Sequence, residues 1–155
     1  MWVGKGLWAI LVTILVLGLS GCGRASSVYV RATDSINLND ANQATPVDIR
    51  FYQLKNINTF KTAEFDALWA DAAAVLGGDL LGEAQVVTIH PGDGQTKPRE
   101  IILGPWDKDA QSLGVMAQFS TISGDKDRRR VVVSAWHADD YVIELNDNEL
   151  HFRKH

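Results

Sequence analysis

Leu19-Ser20-Gly21-Cys22 closes a run of thirteen mostly apolar residues, Leu7 to Leu19, and Cys22 is the only cysteine in the chain. A helix that spans a bilayer needs about 20 apolar residues, so this run is too short for one. With Lys5 ahead of it and two small residues before the thiol, it has the pattern of a lipoprotein export signal. Ser20 and Gly21 let the backbone lie flat in a peptidase cleft, and the Cys22 thiol takes up the lipid. Residues 1–21 are then removed, 22–26 form a short lipidated tether, and the folded domain runs from 27 to 155. One acyl chain holds a protein to a membrane only marginally, whereas the three of an N-acylated, diacylated cysteine hold it stably. Gly23 stands where aspartate would retain an enterobacterial lipoprotein in the inner membrane, which favours the periplasmic face of the outer membrane.

This reading constrains the fold. Cleavage leaves 134 of the 155 residues, enough for one domain with a substantial core. With Cys22 acylated no thiol remains, so the domain stands on packing alone in an oxidising compartment. Losing Lys5 leaves fourteen basic against nineteen acidic residues, which argues against nucleic acid or an anionic surface as the main partner. Arg128-Arg129-Arg130 is the one basic cluster. It follows the polar turn Gly124-Asp125-Lys126-Asp127 and is read as the start of a strand.

From Ser26 onward the apolar period is mainly two. Val28, Val30 and Ala32 mark a first strand, and Val47, Ile49 and Phe51 a second. Val87 and Ile89 mark a third, closed by His90-Pro91-Gly92-Asp93-Gly94. Ile101 to Leu103, then Leu113 to Phe119, follow. Val131 to Trp136 is apolar on both faces, as in a central strand, and Tyr141 to Phe152 reads as a hairpin turning at Asn146-Asp147-Asn148. Between the second and third strands Phe65, Leu68, Trp69, Ala72 and Leu76 recur at helical spacing, with Thr62 as N-cap and Gly77-Gly78 as stop. The expectation is a mainly β fold, an antiparallel β-sandwich with a helical insertion of three to four turns after the second strand.

The chemistry-bearing residues form no catalytic pattern. His90, His137, His151 and His155 make no HExxH, and no GxSxG or SxxK is present. His137-Ala138-Asp139-Asp140 reads as a turn, and Asp107 and Asp109 beside Trp106 as another. No cofactor or metal is expected. The link Asp34 to Thr45 (DSINLNDANQAT) is the exception to this plainness, because twelve residues is long for a connection. It is rich in Asn and Asp yet holds Ile36 and Leu38. On one reading the first strand simply continues, since those two share the parity of Val28, Val30 and Ala32. Alternatively they form the apolar tip of a docking loop.

In order and spacing these segments resemble the type VI secretion outer-membrane lipoprotein family, TssJ. The resemblance rests on the lipobox Leu19 to Cys22, on Asn37-Leu38-Asn39, and on Pro46-Val47-Asp48-Ile49-Arg50-Phe51-Tyr52-Gln53-Leu54. It continues through Phe60 to Leu81, His90-Pro91-Gly92 and Leu113-Gly114-Val115-Met116-Ala117-Gln118-Phe119. Ser120 to Arg130 departs from the family's shorter connection there. The resemblance implies a transthyretin-like sandwich without enzymatic activity that anchors the type VI envelope complex to the outer membrane. The implied partner is the periplasmic C-terminal domain of a TssM-like inner-membrane protein, which works with TssL. The implied contact is Asp34, Ser35, Ile36, Asn37, Leu38, Asn39, Asp40, Ala41, Asn42 and Gln43, with Ile36 and Leu38 as its hot spots. The rival expectation is a periplasmic lipoprotein whose sandwich binds a small ligand or peptide, with Trp69, Trp106 and Trp136 lining the pocket.

Overall fold

The computed structural model describes residues 25–122 and 127–155. The expected signal, Cys22 and the turn at 124–126 lie outside the described residues. Eight strands form two four-stranded sheets packed face to face. One sheet is ordered β4-β1-β7-β8 (Arg99–Pro105, Ala25–Ala32, Tyr141–Asn146, Glu149–Lys154). The other is ordered β3-β2-β5-β6 (Leu80–Ile89, Val47–Leu54, Ser112–Ala117, Arg130–Ser134). Alternation puts Val28, Val30, Ile49, Phe51, Val115, Ile143 and Leu145 between the sheets, where they form the main core.

The expected sandwich is present, and the hairpin turns where the sequence indicates, with Asp147 at φ 50°. Four features differ from the sequence reading. First, β1 and β7 run parallel, Val30 beside Ile143 and Ala32 beside Leu145, while every other named strand pair is antiparallel. Second, where the sequence assigned no sheet partners, β1 and β2 belong to different sheets, so the Asp34–Thr45 segment crosses the end of the sandwich.

Third, Arg130–Ser134 is an edge strand, although its valines are apolar on both faces. Val131 and Val133 face the main core, and Val132 packs against the helical insertion, so both faces are covered without a central position. The same arrangement explains why the neighbouring Phe51 and Tyr52 on β2 are both buried. Trp136 has left the strand and lies in a 3-10 segment, Ala135–Asp140.

Fourth, the helical insertion is three short helices: α1 (Asn58–Thr62), α2 (Phe65–Ala70) and α3 (Ala72–Leu76). Thr62 ends α1 and is no N-cap; its Oγ1 donates to the Asn58 carbonyl at 3.0 Å. Asp71 interrupts the periodic stripe with non-helical backbone (φ −148°, ψ 81°) and caps α3 by accepting from Ala74 N at 3.0 Å. The stripe's spacing survives the break because tertiary packing selects it. Phe60, Phe65, Leu68 and Leu76 join Tyr52, Leu54 and Met116 in a second core on the outer face of the sheet.

Arginines clamp this insertion down. Arg50 lies over Trp69 at 3.9 Å, Trp69 stacks on Phe65 at an interplanar angle of 11°, and Arg129 covers Phe65 from the other side at 3.7 Å. Arg50 also donates to the Trp69 carbonyl. Arg130 donates to the carbonyls of Phe60 (2.8 Å) and Ala63 (2.7 Å), which a helix end leaves open. Arg128 reaches the other sheet, pairing with Glu149 at 3.0 Å. The arginine run thus sends three side chains to three elements and is built into the fold.

Candidate functional site

The Asp34–Thr45 segment leaves β1 at the same end of the sandwich as the Asn146–Asn148 turn and the loop after β3. Thr33 N donates to Leu145 O (3.0 Å), Gly92 N to Thr33 O (3.1 Å), and Ala32 N to Asp93 O (2.8 Å). Ser35 Oγ donates to Asp147 Oδ1 at 2.9 Å. These bonds hold the base of the segment.

Ile36 is wholly buried and belongs to the main core. The expectation that Ile36 presents an apolar tip is therefore corrected: strand parity carries it inward, where it plugs the end of the sandwich. Asn37 is buried as well and sits in left-handed backbone (φ 51°), which asparagine tolerates better than most residues. It ties four segments together. Its backbone N–H donates to Asp147 O (2.7 Å), and its Nδ2 donates to Thr45 Oγ1 (2.9 Å) and Pro46 O (2.8 Å). Its Oδ1 accepts from Ser120 N (2.6 Å), and its carbonyl accepts from Thr45 Oγ1 (2.7 Å).

Beyond that knot the segment forms a small protruding turn. Leu38 and Ala44 pair as an isolated bridge, and Asn39 N donates to Gln43 O at 3.0 Å. Asn39 Oδ1 accepts from Ala41 N and Gln43 N, each at 3.0 Å. The side chains left to meet a partner are those of exposed Asp34, Asp40, Ala41, Asn42 and Gln43, with Leu38 and Asn39 half-buried at the flank. The tip is pre-ordered by its own backbone and carries no cationic side chain. It offers shape, amide and carboxylate groups, and one apolar flank.

Sequence reasoning located this segment but missed what surrounds it. Asp147, Thr121 and Asp93 stand at the same end, Asn148 Nδ2 donating to Thr121 at 2.5 Å. Only the parallel pairing of β1 and β7 brings the hairpin turn there, and no local pattern announces a pairing so distant in sequence. Among the described residues no cluster of His, Cys, Asp or Glu side chains is able to hold a metal ion. His137 instead meets Asp140 (3.1 Å) and His151 meets Glu149 (3.0 Å). The three tryptophans do not converge. Trp69 lies on α2 against the second core, Trp106 against the main core, and Trp136 in solvent.

The sequence pattern that defines the type VI secretion lipoproteins (VasD, EvfM, TssJ) matches residues 24–148. The chain belongs to the TssJ family. TssJ proteins are structural lipoproteins of a secretion apparatus. The TssJ1 lipoprotein of Pseudomonas aeruginosa superimposes with a TM-score of 0.69 at 26% identity, covering 83% of this chain and 94% of that one. A chain in a structure described as the type VI membrane complex gives 0.70 at 28% identity, covering 82% and 95%. A chain in a structure described as the TssM C-terminal domain (869–1107) from EAEC gives 0.68 at 26% identity, covering 83% and 97%. No curated protein sequence matches. Among the described residues no helix is long and apolar enough to cross a membrane.

Proposed function

We propose that this TssJ-family lipoprotein anchors a type VI secretion envelope complex to the periplasmic face of the outer membrane. It is held there through acylated Cys22 and docks the periplasmic domain of a TssM-like inner-membrane protein through the tip of the Asp34–Thr45 segment. TssL belongs to the same complex, and the chain itself performs no catalysis. The observation that carries this reading is polarity: β1 starts beside Pro105 at one end of the sandwich and delivers the ordered tip at the other. Eight residues at about 3.3 Å each separate the two by roughly 25 Å. An anchor at one end and a pre-ordered, solvent-facing turn at the other suit a protein that links a membrane to something below it.

The TssM-type partner has separate support. By its two coverages, the matched chain in the EAEC structure is about 133 residues long, shorter than the 239 residues that 869–1107 spans. Structures described by the TssM C-terminal domain and by the type VI membrane complex each hold a chain of this fold, which supports a partner of the TssM type. A standard interface buries about 800 Å² per partner, more than this tip alone supplies, so the Asp147 turn and the loop after β3 contribute.

The test is titration calorimetry of residues 27–155 against the periplasmic domain of the cognate TssM-like protein. Binding at micromolar or tighter affinity, lost when Asp40 to Gln43 are replaced by a Gly-Ser turn, is the expected result. Absence of binding between two folded domains would defeat the proposal.

A further inference from the structure

The end of the sandwich that faces the anchor carries an exposed tryptophan. Trp136 is 74% exposed, the most exposed large apolar side chain among the described residues. Its position at the anchor end follows from the strand register. Ala25 pairs with Pro105, and Gln53 Nε2 donates to Pro105 O at 3.1 Å. Next to Gln53, Leu54 pairs with Ser112, and Ser112 with Ser134, after which the chain enters the 3-10 segment that holds Trp136. Ala135 N donates to Gln111 O (3.0 Å), fixing the segment against the loop after Trp106.

Cys22 lies three residues before Ala25, so even fully extended backbone keeps the two Cα atoms within about 11 Å. An acylated Cys22 sits at the headgroup level of the bilayer. The Ala25 end of the sandwich, which Trp136 shares, is therefore kept close to the membrane surface.

We propose that Trp136 inserts into the phospholipid interface and orients the domain on the membrane. The inference rests on the lipid-anchor reading above. An indole suits the headgroup region because its ring is apolar and its N–H needs a hydrogen-bond partner, which explains the tryptophan belts of membrane proteins. Charge selects the kind of surface. Asp107, Asp109, Asp139 and Asp140 are exposed around this end together with Lys55, Lys108 and Lys154, so no positive excess gathers there. That balance disfavours coulombic attraction to anionic lipid and leaves a zwitterionic interface entered by the indole. Orientation has a consequence for docking. With one end fixed at the bilayer, the Asp34–Thr45 tip points away from the membrane, toward the inner-membrane partner.

The test uses the full acylated protein in vesicles of phosphatidylethanolamine with brominated acyl chains, reading tryptophan emission alongside flotation. Native protein is expected to be quenched, with Trp136→Phe losing more than half of that quenching while floating equally well and keeping its circular dichroism. Equal quenching of native and variant proteins, both floating, would overturn the insertion and leave the anchor standing. Failure of the native protein to float would overturn the anchor itself and the insertion with it. Shielding of Trp136 only when the periplasmic partner is added would assign the indole to a protein contact and overturn the proposal.

Discussion

Asn37 donates through Nδ2 to the carbonyl of Pro46, 2.8 Å away, and so closes the whole crossing between the two sheets with one side chain. The same amide accepts from Ser120 N, so it also fastens the end of the connection after β5. A buried amide with donors and acceptors all engaged is costly to remove, because its partners are left without replacements.

Asn37→Ala is expected to cost about 2–4 kcal/mol, combining lost hydrogen bonds with left-handed backbone that alanine adopts poorly. Asn37→Gly keeps the backbone freedom and isolates the hydrogen-bond part, at about 1 kcal/mol less. Urea unfolding of the three proteins measures both numbers. Equal stability of the native protein and Asn37→Ala would refute the knot.

Ile36 and the tip are expected to separate stability from docking. Ile36→Ala removes core volume and is expected to cost about 2–5 kcal/mol of stability. Alanine substitutions at Asp40 and Gln43, with Asn42→Gly at the left-handed position (φ 58°), leave stability within about 0.5 kcal/mol and weaken partner binding. Calorimetry paired with thermal melts reads both effects. The opposite assignment, binding lost with Ile36→Ala at unchanged stability, would restore the apolar-tip expectation.

The Arg129 clamp is expected to be acid-sensitive. The Arg129 guanidinium donates to both Asp127 oxygens at 2.8 Å and holds that carboxyl below its ordinary value. A carboxylate with a lowered folded-state pKa stabilises the fold above its ordinary value, and that contribution is lost as the pH falls through the lowered one. The loss therefore falls below about pH 4. Asp127→Asn is expected to be less stable at neutral pH and to show a shallower decline in acid, since the group that titrates is gone. Parallel acid-unfolding curves for the two proteins would remove Asp127 from the account.

Gly114 is expected to tolerate nothing larger. A Cβ there would stand 2.7 Å from Phe60 Cζ and 2.8 Å from Leu54 Cδ1, inside the second core. Gly114→Ala is expected to cost about 1–3 kcal/mol by overpacking, with the insertion loosening first. Hydrogen exchange across residues 58–76 should rise in the variant, and unchanged protection would contradict the tight contact.

Much of this architecture was legible because period-two alternation is a local property. Val28 to Ala32, Val47 to Phe51 and Leu113 to Ala117 each report one buried face, and the hairpin at Asp147 announces its own turn. The alternation also held the correct answer for Ile36, whose parity with Val30 and Ala32 continues the buried face past the end of the strand. What misled was composition: an apolar residue among asparagines reads as an exposed anchor when it is equally a core residue in a polar crossing. Asp71 shows the converse. Its neighbours keep helical spacing, yet its side chain turns to cap Ala74 and divides the helix.

The family, the β-rich fold and the segment where function is sought are all written in short-range pattern and motif. Long-range packing set the parallel pairing of β1 with β7, the edge position of Arg130–Ser134, and the use of the arginine run as a clamp. It also decided which residues of the Asp34–Thr45 segment face solvent and that Trp136 stands at the opposite end. The physical reason is that pairing partners, layer order and burial depend on contacts between residues more than a hundred positions apart, as with Val30 and Ile143. No periodicity within a strand encodes which other strand will lie beside it.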